Sequence, residues 1–145
     1  MPTYSATVAS PKPAGAVFDY MADFSHTSEW DPNCESAERT STGEIGAGAT
    51  FRLTFSGVAG QKLDLDYEIK EYDAPRRFQL VGGNDRVSSV DTIEVEPDGS
   101  GCKVTYTAEL ELEGAFKLAH PILAVGLAKA GSDARKGLEE KLASA

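Results

Sequence analysis

The sequence predicts an α+β fold in which a curved antiparallel sheet of six to seven strands wraps around one long C-terminal helix. Most of the chain alternates between apolar and polar residues, with turn residues between the alternating runs. Each run has a single apolar face, which predicts a sheet that is covered on one side only. Only residues 116–145 combine helical spacing with enough length to cover that face.

The composition fits one soluble globular domain that spans residues 1–145. The 14 basic residues against 23 acidic ones give a net charge of −9, which argues against nucleic acid and anionic membrane surfaces as partners. No apolar run approaches the length of a transmembrane helix, and no basic region followed by an apolar one marks a leader. We therefore expect a cytoplasmic protein without stable membrane insertion.

The first thirty residues predict one strand followed by two short helices. Residues 3–9 alternate, which is typical of a strand with one buried face. Ser10 is predicted to cap a helix over residues 14–22, where apolar side chains recur at helical spacing. Residues 25–30 could form a further helical turn before the Asp-Pro pair ends it.

The middle of the chain predicts a run of hairpins. Residues 33–42 are polar and weakly patterned, which indicates an edge strand that could pair in a homodimer. Stronger alternation follows, interrupted by short turns rich in glycine, proline and aspartate, so the neighbouring strands should be antiparallel. The strands predicted after the edge strand cover residues 49–56, 62–72, 77–82, 87–96 and 102–113.

The long helix has an apolar stripe with small residues in its upper part. Pro121 suits the first turn, because it has no N–H to leave unsatisfied. Gly126, Gly131 and Gly137 each cost about 1 kcal/mol of helix propensity, so the helix should depend on packing. Small residues permit close packing, but against a curved sheet the pattern favours an internal cavity. The stripe consists of Leu123, Leu127, Ala130, Ala134, Leu138 and Leu142.

Four stretches of the chain resemble one known family. They are residues 16–32, with AVFDYMADF and EWDP; 46–51, GAGATF; 67–78, YEIKEYDAPRRF; and 104–114, VTYTAELELEG. In this order they are similar to the polyketide cyclase/dehydrase and lipid-transport family of the START-like (SRPBCC) superfamily. The resemblance implies the helix-grip fold and a hydrophobic pocket between sheet and helix that holds lipids, steroids, polyketides or other apolar molecules. It implies no catalytic motif, because these stretches are turn and packing signatures.

Asp91 is the predicted catalytic candidate. Strand alternation places Ser89 and Asp91 on the same face as the apolar residues Val87, Ile93 and Val95. A carboxylate in an apolar cavity would have a raised pKa and could act as a general acid or base. The alternatives are that a bulge turns Asp91 to solvent or that it anchors a buried hydrogen bond.

The inward side chains of the strands and helices are the predicted ligand contacts. Tyr67 and Tyr106 could orient a ligand carbonyl or hydroxyl, although core tyrosines would show the same pattern. Residues 114–121 precede the long helix and are a candidate gate. The predicted ligand-binding residues are Tyr20, Trp30, Phe51, Leu53, Phe55, Leu65, Tyr67, Leu80, Tyr106, Leu110, His120, Leu123 and Leu127.

These features favour binding or transport of a small apolar or amphipathic molecule of lipid, polyketide or isoprenoid type. One alternative is a cyclase, dehydratase or isomerase that uses the same cavity. Another is a protein-interaction module that uses two outward acidic rows, Asp64, Asp66 and Glu68 and Glu109, Glu111 and Glu113. Neither the two cysteines nor the two histidines have metal-binding spacing, so we expect no metal and no cofactor. The expected partner is a small hydrophobic ligand, with the protein a monomer or a homodimer.

Overall fold

The computed structural model describes residues 3–56, 62–85, 87–112 and 120–143, without the side chains of Ser56, Leu112 and residues 120–130. Residues 114–119 of the predicted gate therefore lie outside the described residues. The elements in chain order are β1 (Thr3–Ser10), α1 (Ala14–Ala22), a 3-10 turn (Phe24–His26), α2 (Thr27–Trp30), β2 (Cys34–Arg39), β3 (Thr50–Ser56), β4 (Lys62–Asp73), β5 (Arg77–Gly83), β6 (Val87–Asp98), β7 (Gly101–Leu112) and α3 (His120–Ala143).

The described strands form one seven-stranded sheet in the order β1-β7-β6-β5-β4-β3-β2. Each neighbouring pair is antiparallel, as the short connections predict. Strand β2 lies at one edge of the sheet, where the weakly patterned stretch predicts it, but it is shorter than residues 33–42. The α+β prediction, with two short helical segments after the first strand and a long C-terminal helix, is confirmed.

The turn between β6 and β7 is tighter than the predicted turn over residues 97–101. Strand β6 continues to Asp98, which pairs with Gly101 at the start of β7. Only two residues are left to reverse the chain, and Gly99 adopts a left-handed φ of +63°. A glycine makes this conformation accessible without a Cβ clash, so the hairpin can close in two residues.

The core lies on one face of the sheet. Helix α1 buries Phe18, whose ring meets the rings of Tyr72 and Phe78 edge-on at centroid distances of 5.5 and 5.4 Å. Such aromatic contacts add to the free energy gained by apolar burial. Helix α1 therefore packs on the sheet near the turn that joins β4 and β5.

Ser10 does not cap α1, contrary to the sequence prediction. Pro13 stands at the N-cap position and makes no side-chain capping bond, because β1 runs on to Ser10 and the helix begins only at Ala14. The buried Ser10 hydroxyl instead donates to the backbone carbonyl of Leu142 at 2.9 Å. It thus satisfies a carbonyl in the last turn of α3, which has no partner within the helix.

Replacing Ser10 by Ala is expected to lower the free energy of unfolding by about 1 to 2 kcal/mol, because a buried carbonyl loses its donor. Urea denaturation measures the change. Ser5→Ala is the matched control, since Ser5 bonds Thr107 at an exposed position of the same strand. Equal effects of the two substitutions would contradict a stabilising role for the Ser10–Leu142 bond.

The C-terminal half of α3 packs closely against the rest of the protein. A Cβ on Gly131 would lie 2.5 Å from the Tyr4 ring, and one on Gly137 would lie 1.9 Å from the Trp30 carbonyl oxygen. At these two positions the prediction of a space beneath the small residues is wrong, because glycine here permits close approach of β1 and α2. The side chains of residues 124–130 in the same stripe lie outside the described residues.

Candidate functional site

Asp91 lies on the inner face of the sheet, as strand alternation predicts, and is 4% exposed. Both of its carboxylate oxygens accept hydrogen bonds: the Ser89 hydroxyl donates to Oδ1 at 2.5 Å and the Tyr106 hydroxyl donates to Oδ2. Asp91 is paired across the sheet with Ala108, and Ala108 with Tyr4. Since the Tyr4 ring meets α3, the carboxylate lies on the face that α3 covers.

The Tyr67 side chain extends over Gly82 towards Ser89 and Asp91. Tyr67 on β4, Gly82 on β5 and Ser89 on β6 are neighbours in one row of the sheet. A Cβ on Gly82 would lie 2.4 Å from Cδ1 of Tyr67, so the ring lies over the glycine. This lets the Tyr67 hydroxyl form a hydrogen bond with that of Ser89. The four side chains Tyr67, Ser89, Asp91 and Tyr106 form a continuous chain of hydrogen bonds, which we call the polar cluster.

The buried environment of the polar cluster raises the pKa of its ionisable side chains. Burial raises the pKa of Asp91 to about 6, although the hydrogen bonds from Ser89 and Tyr106 lower it. Burial and the nearby Asp91 charge raise the pKa of Tyr67 and of Tyr106 well above the usual range. The two phenols therefore remain neutral hydrogen-bonding groups, while Asp91 titrates near neutrality and can exchange a proton there.

Trp30 and Asp31 flank the polar cluster. Trp30 is buried, and its ring meets that of Tyr106 edge-on at 5.8 Å. The Asp31 carboxylate accepts a hydrogen bond from the backbone N–H of Asn33 at 2.9 Å and is close enough to Asp91 for their charges to repel. Sequence reasoning predicted Trp30 but missed Asp31. The sequence signal that could have identified Asp31 is the position of its carboxylate between the single tryptophan and Pro32.

A cleft of about 660 Å³ lies along the contact between α2 and the C-terminal half of α3. Trp30 and Asp31 form one wall, and α3 forms the other. The cleft is polar at its rim, with acidic and basic side chains on both walls. Its lining residues are Ser28, Glu29, Trp30, Asp31, Pro32, Asp133, Lys136, Gly137, Glu140 and Lys141.

Apart from Trp30, Tyr67 and Tyr106, the predicted ligand-binding residues fall into three groups. Phe51, Leu53, Leu65 and Leu80 are buried in the core, whereas Phe55 and Leu110 are only partly buried. Tyr20 lies apart from the polar cluster, because its hydroxyl donates to Glu29 at 2.8 Å and its ring stacks on His26. The side chains of His120, Leu123 and Leu127 lie outside the described residues, so their predicted roles stay predictions.

Other candidate chemistry is limited in the described part of the chain. Cys34 and Cys102 are both buried and free. No group of three or more His, Cys, Asp or Glu side chains within the described ranges could hold a metal ion. None of the described helices is long and apolar enough to cross a membrane.

The outward acidic rows are partly neutralised by neighbours on the same face of the sheet. Asp66 forms an ion pair with Arg52 at 2.9 Å, and Glu68 forms one with Lys70 at 3.2 Å. Asp64 accepts a hydrogen bond from the Thr54 hydroxyl at 2.7 Å. These contacts are typical of a solvated sheet face for the row Asp64, Asp66 and Glu68.

Solved structures with the same fold are numerous. One from Thermus thermophilus is 23% identical and covers 97% of each chain with a TM-score of 0.79. A START superfamily protein from Mycobacterium smegmatis is 14% identical, with a TM-score of 0.78 over 97% of this chain and 96% of that one. The Zhui aromatase/cyclase from Streptomyces sp. R1128 is 15% identical, with a TM-score of 0.78 over 97% and 92% of the two chains.

These similarities establish the helix-grip fold that the resemblance in sequence implies. A comparison with functionally curated proteins gave no significant match. The family model described as polyketide cyclase/dehydrase and lipid transport, in contrast, matches residues 1–143, nearly the whole chain. The chain therefore belongs to the polyketide cyclase/dehydrase and lipid transport family.

Proposed function

We propose that the protein binds a small apolar or amphipathic molecule of lipid, polyketide or isoprenoid type between the inner face of the sheet and α3. The observation that carries this proposal is the polar cluster, which lies among apolar side chains on the face that α3 covers. Apolar burial would supply most of the affinity. The Tyr67 and Tyr106 phenols and the Asp91 carboxyl would hold the polar end of the ligand.

The family and its fold support this proposal. The family description names lipid transport beside polyketide cyclisation and dehydration. Two of the structural neighbours are a START superfamily protein and an aromatase/cyclase, although identities of 14% and 15% relate them to this chain by fold alone. The arrangement of Tyr67 over Gly82 adds a feature of this chain, because it brings a phenol to a serine and a carboxyl inside the core.

The second candidate function is acid–base catalysis on the bound molecule, as in a cyclase, dehydratase or isomerase. One observation favours it: the pKa of Asp91 is raised to about 6, in the range where a carboxyl can both give and take a proton near neutral pH. Tyr106, which donates to Asp91, would hold the carboxyl in position. Turnover of an identified ligand that Asp91→Asn leaves unchanged would exclude this candidate.

Native mass spectrometry of protein purified from its own host tests the binding function. We expect a non-covalent adduct whose released component is apolar and carries at least one polar group. Once this ligand is identified, Tyr67→Phe is expected to weaken its binding about tenfold, because one hydrogen bond to the polar end is lost.

Tyr72→Phe is the matched control, since the Tyr72 ring packs on Phe18 away from the polar cluster. Circular dichroism verifies that both variants fold. Equal binding by the two variants would contradict a role for the polar cluster. Absence of any apolar adduct, together with no binding of added lipids, would contradict the proposed function itself.

A further inference from the structure

Asp31 is held firmly at the end of α2. Its backbone N–H donates to the Thr27 carbonyl at 2.9 Å, and its Oδ1 accepts the backbone N–H of Asn33 at 2.9 Å. These bonds fix the carboxylate in the wall of the cleft between α2 and α3. Asp31 therefore has a defined position and does not sample the surface freely.

The Asp31 carboxylate is electrostatically coupled to the polar cluster. Burial raises the pKa of Asp31 to about 6; the Asn33 backbone bond lowers it, and the carboxylates of Asp133 and Asp91 raise it further. The Trp30 ring connects the cleft wall to Tyr106, whose hydroxyl donates to Asp91. The carboxylates of Asp31, at the end of α2, and of Asp91, on β6, are therefore close enough for their charges to interact.

The described side chains place no positive charge beside Asp91. Burial raises its pKa and the bonds from Ser89 and Tyr106 lower it, with no contribution from a described Lys, Arg or His. The basic side chains of the cleft lie at its rim, where Lys141 Nζ is 3.8 Å from Glu29 Oε1 and Lys136 is exposed. The charged groups that face Asp31 from α2 and α3 are Glu29, Asp133, Lys136, Glu140 and Lys141.

We propose that Asp31 and Asp91 together determine ligand specificity by selecting against an anionic head group, so that the site takes apolar molecules that end in a hydroxyl, a carbonyl or an amine. This inference rests on the proposed function, since it concerns the polar end of the molecule bound there. A ligand carboxylate beside Asp91 would meet negative charge, and none of the described Lys, Arg or His side chains lies next to Asp91 to offset it. A hydroxyl can instead donate to Asp91 or accept from the phenols, and an ammonium group can pair with the carboxylates.

Three ligands with the same alkyl chain test the inference: decanol, decanoate and decylamine, titrated by isothermal calorimetry at about pH 8, where the carboxyl groups are ionised and the amine is charged. We expect decanoate to bind about tenfold more weakly than decanol, and decylamine to bind at least as tightly as decanol. Asp91→Asn and, separately, Asp31→Asn should bring the affinities for decanoate and decanol closer together. Asp85→Asn, the same charge change at an exposed position, should leave their ratio unaltered.

The outcomes separate the inference from the proposed function. Decanoate binding as tightly as decanol would overturn the charge selection while leaving an apolar-ligand site intact. A ratio that neither Asp31→Asn nor Asp91→Asn changes would overturn the assignment to these two residues. No binding of any of the three ligands would overturn the proposed function and this inference with it. Urea denaturation of each variant establishes that the folded protein is being titrated.

Discussion

Replacing Asp91 by Asn is expected to make the stability of the protein less sensitive to pH. Between acidic and neutral pH, the free energy of unfolding of the variant should rise by about 3 kcal/mol relative to that of the wild type. Burial raises the pKa of Asp91 in the folded state to about 6, from an ordinary value of 3.8. The folded state therefore binds more protons than the unfolded state between these two values. In the wild type, the stabilisation that comes from protonated Asp91 in the folded state is fully present below about pH 4 and is lost as the pH rises through about 6.

Asparagine removes the titration but retains the shape of the side chain. Its carbonyl oxygen can accept from one of the two hydroxyl donors, Ser89 or Tyr106, and its amide can donate to the other after that hydroxyl rotates. An ionised carboxylate loses its hydration when the chain folds around it, whereas the amide has no charge to desolvate. We therefore expect the variant to fold and to exceed wild-type stability most clearly above pH 6.

Urea denaturation of both proteins at a series of pH values measures the difference in unfolding free energy. Asp85→Asn serves as the control, because it removes one negative charge from an exposed position and leaves the buried carboxyl in place. Parallel stability curves for Asp91→Asn and wild type would show that the Asp91 carboxyl does not titrate differently in the folded and unfolded protein.

The position of Asp91 could be predicted from the sequence, but its partners could not. The period of two in a strand is local, so the apolar residues Val87, Ile93 and Val95 determine which face Asp91 shares with them. The hydrogen bond from Tyr106 depends on the register between β6 and β7, in which Tyr106 pairs with Ile93. Register is set by turn geometry, and here β6 and β7 extend further into the turn than the sequence predicts.

The hydrophobic pattern of the sequence does not predict contacts between elements that are distant along the chain. Small residues in α3 are compatible both with a space and with close packing, and the difference depends on the element opposite each glycine. The Tyr4 ring lies opposite Gly131, and the Trp30 carbonyl lies opposite Gly137. Ser10 likewise has a typical capping side chain, but the group it satisfies is a carbonyl at the other end of the chain. These pairings are properties of the tertiary structure.

Replacing Gly137 by Ala is expected to lower the free energy of unfolding by about 2 to 3 kcal/mol, despite the better helix propensity of alanine. The added Cβ would lie 1.9 Å from the Trp30 carbonyl oxygen and 3.3 Å from Cδ of Pro32. The first of these is a backbone atom, so no side-chain rotation can relieve the clash. Either α2 or α3 must move, and a movement of α2 would disturb the contact of Trp30 with Tyr106.

The lone tryptophan reports this movement directly. Trp30 is buried in the wild type, so its displacement in Gly137→Ala should shift the fluorescence maximum to longer wavelength as water reaches the indole. Gly15→Ala is the matched control, because Gly15 lies in α1 with no atom within 4 Å of an added Cβ and should gain up to about 1 kcal/mol. If Gly137→Ala matched Gly15→Ala in stability and left the fluorescence unchanged, α3 would not be held against α2 at this glycine. Loss of stability together with a fluorescence shift would instead identify the α2–α3 contact as the support that holds Trp30 against Tyr106, and through it the Asp91 carboxyl.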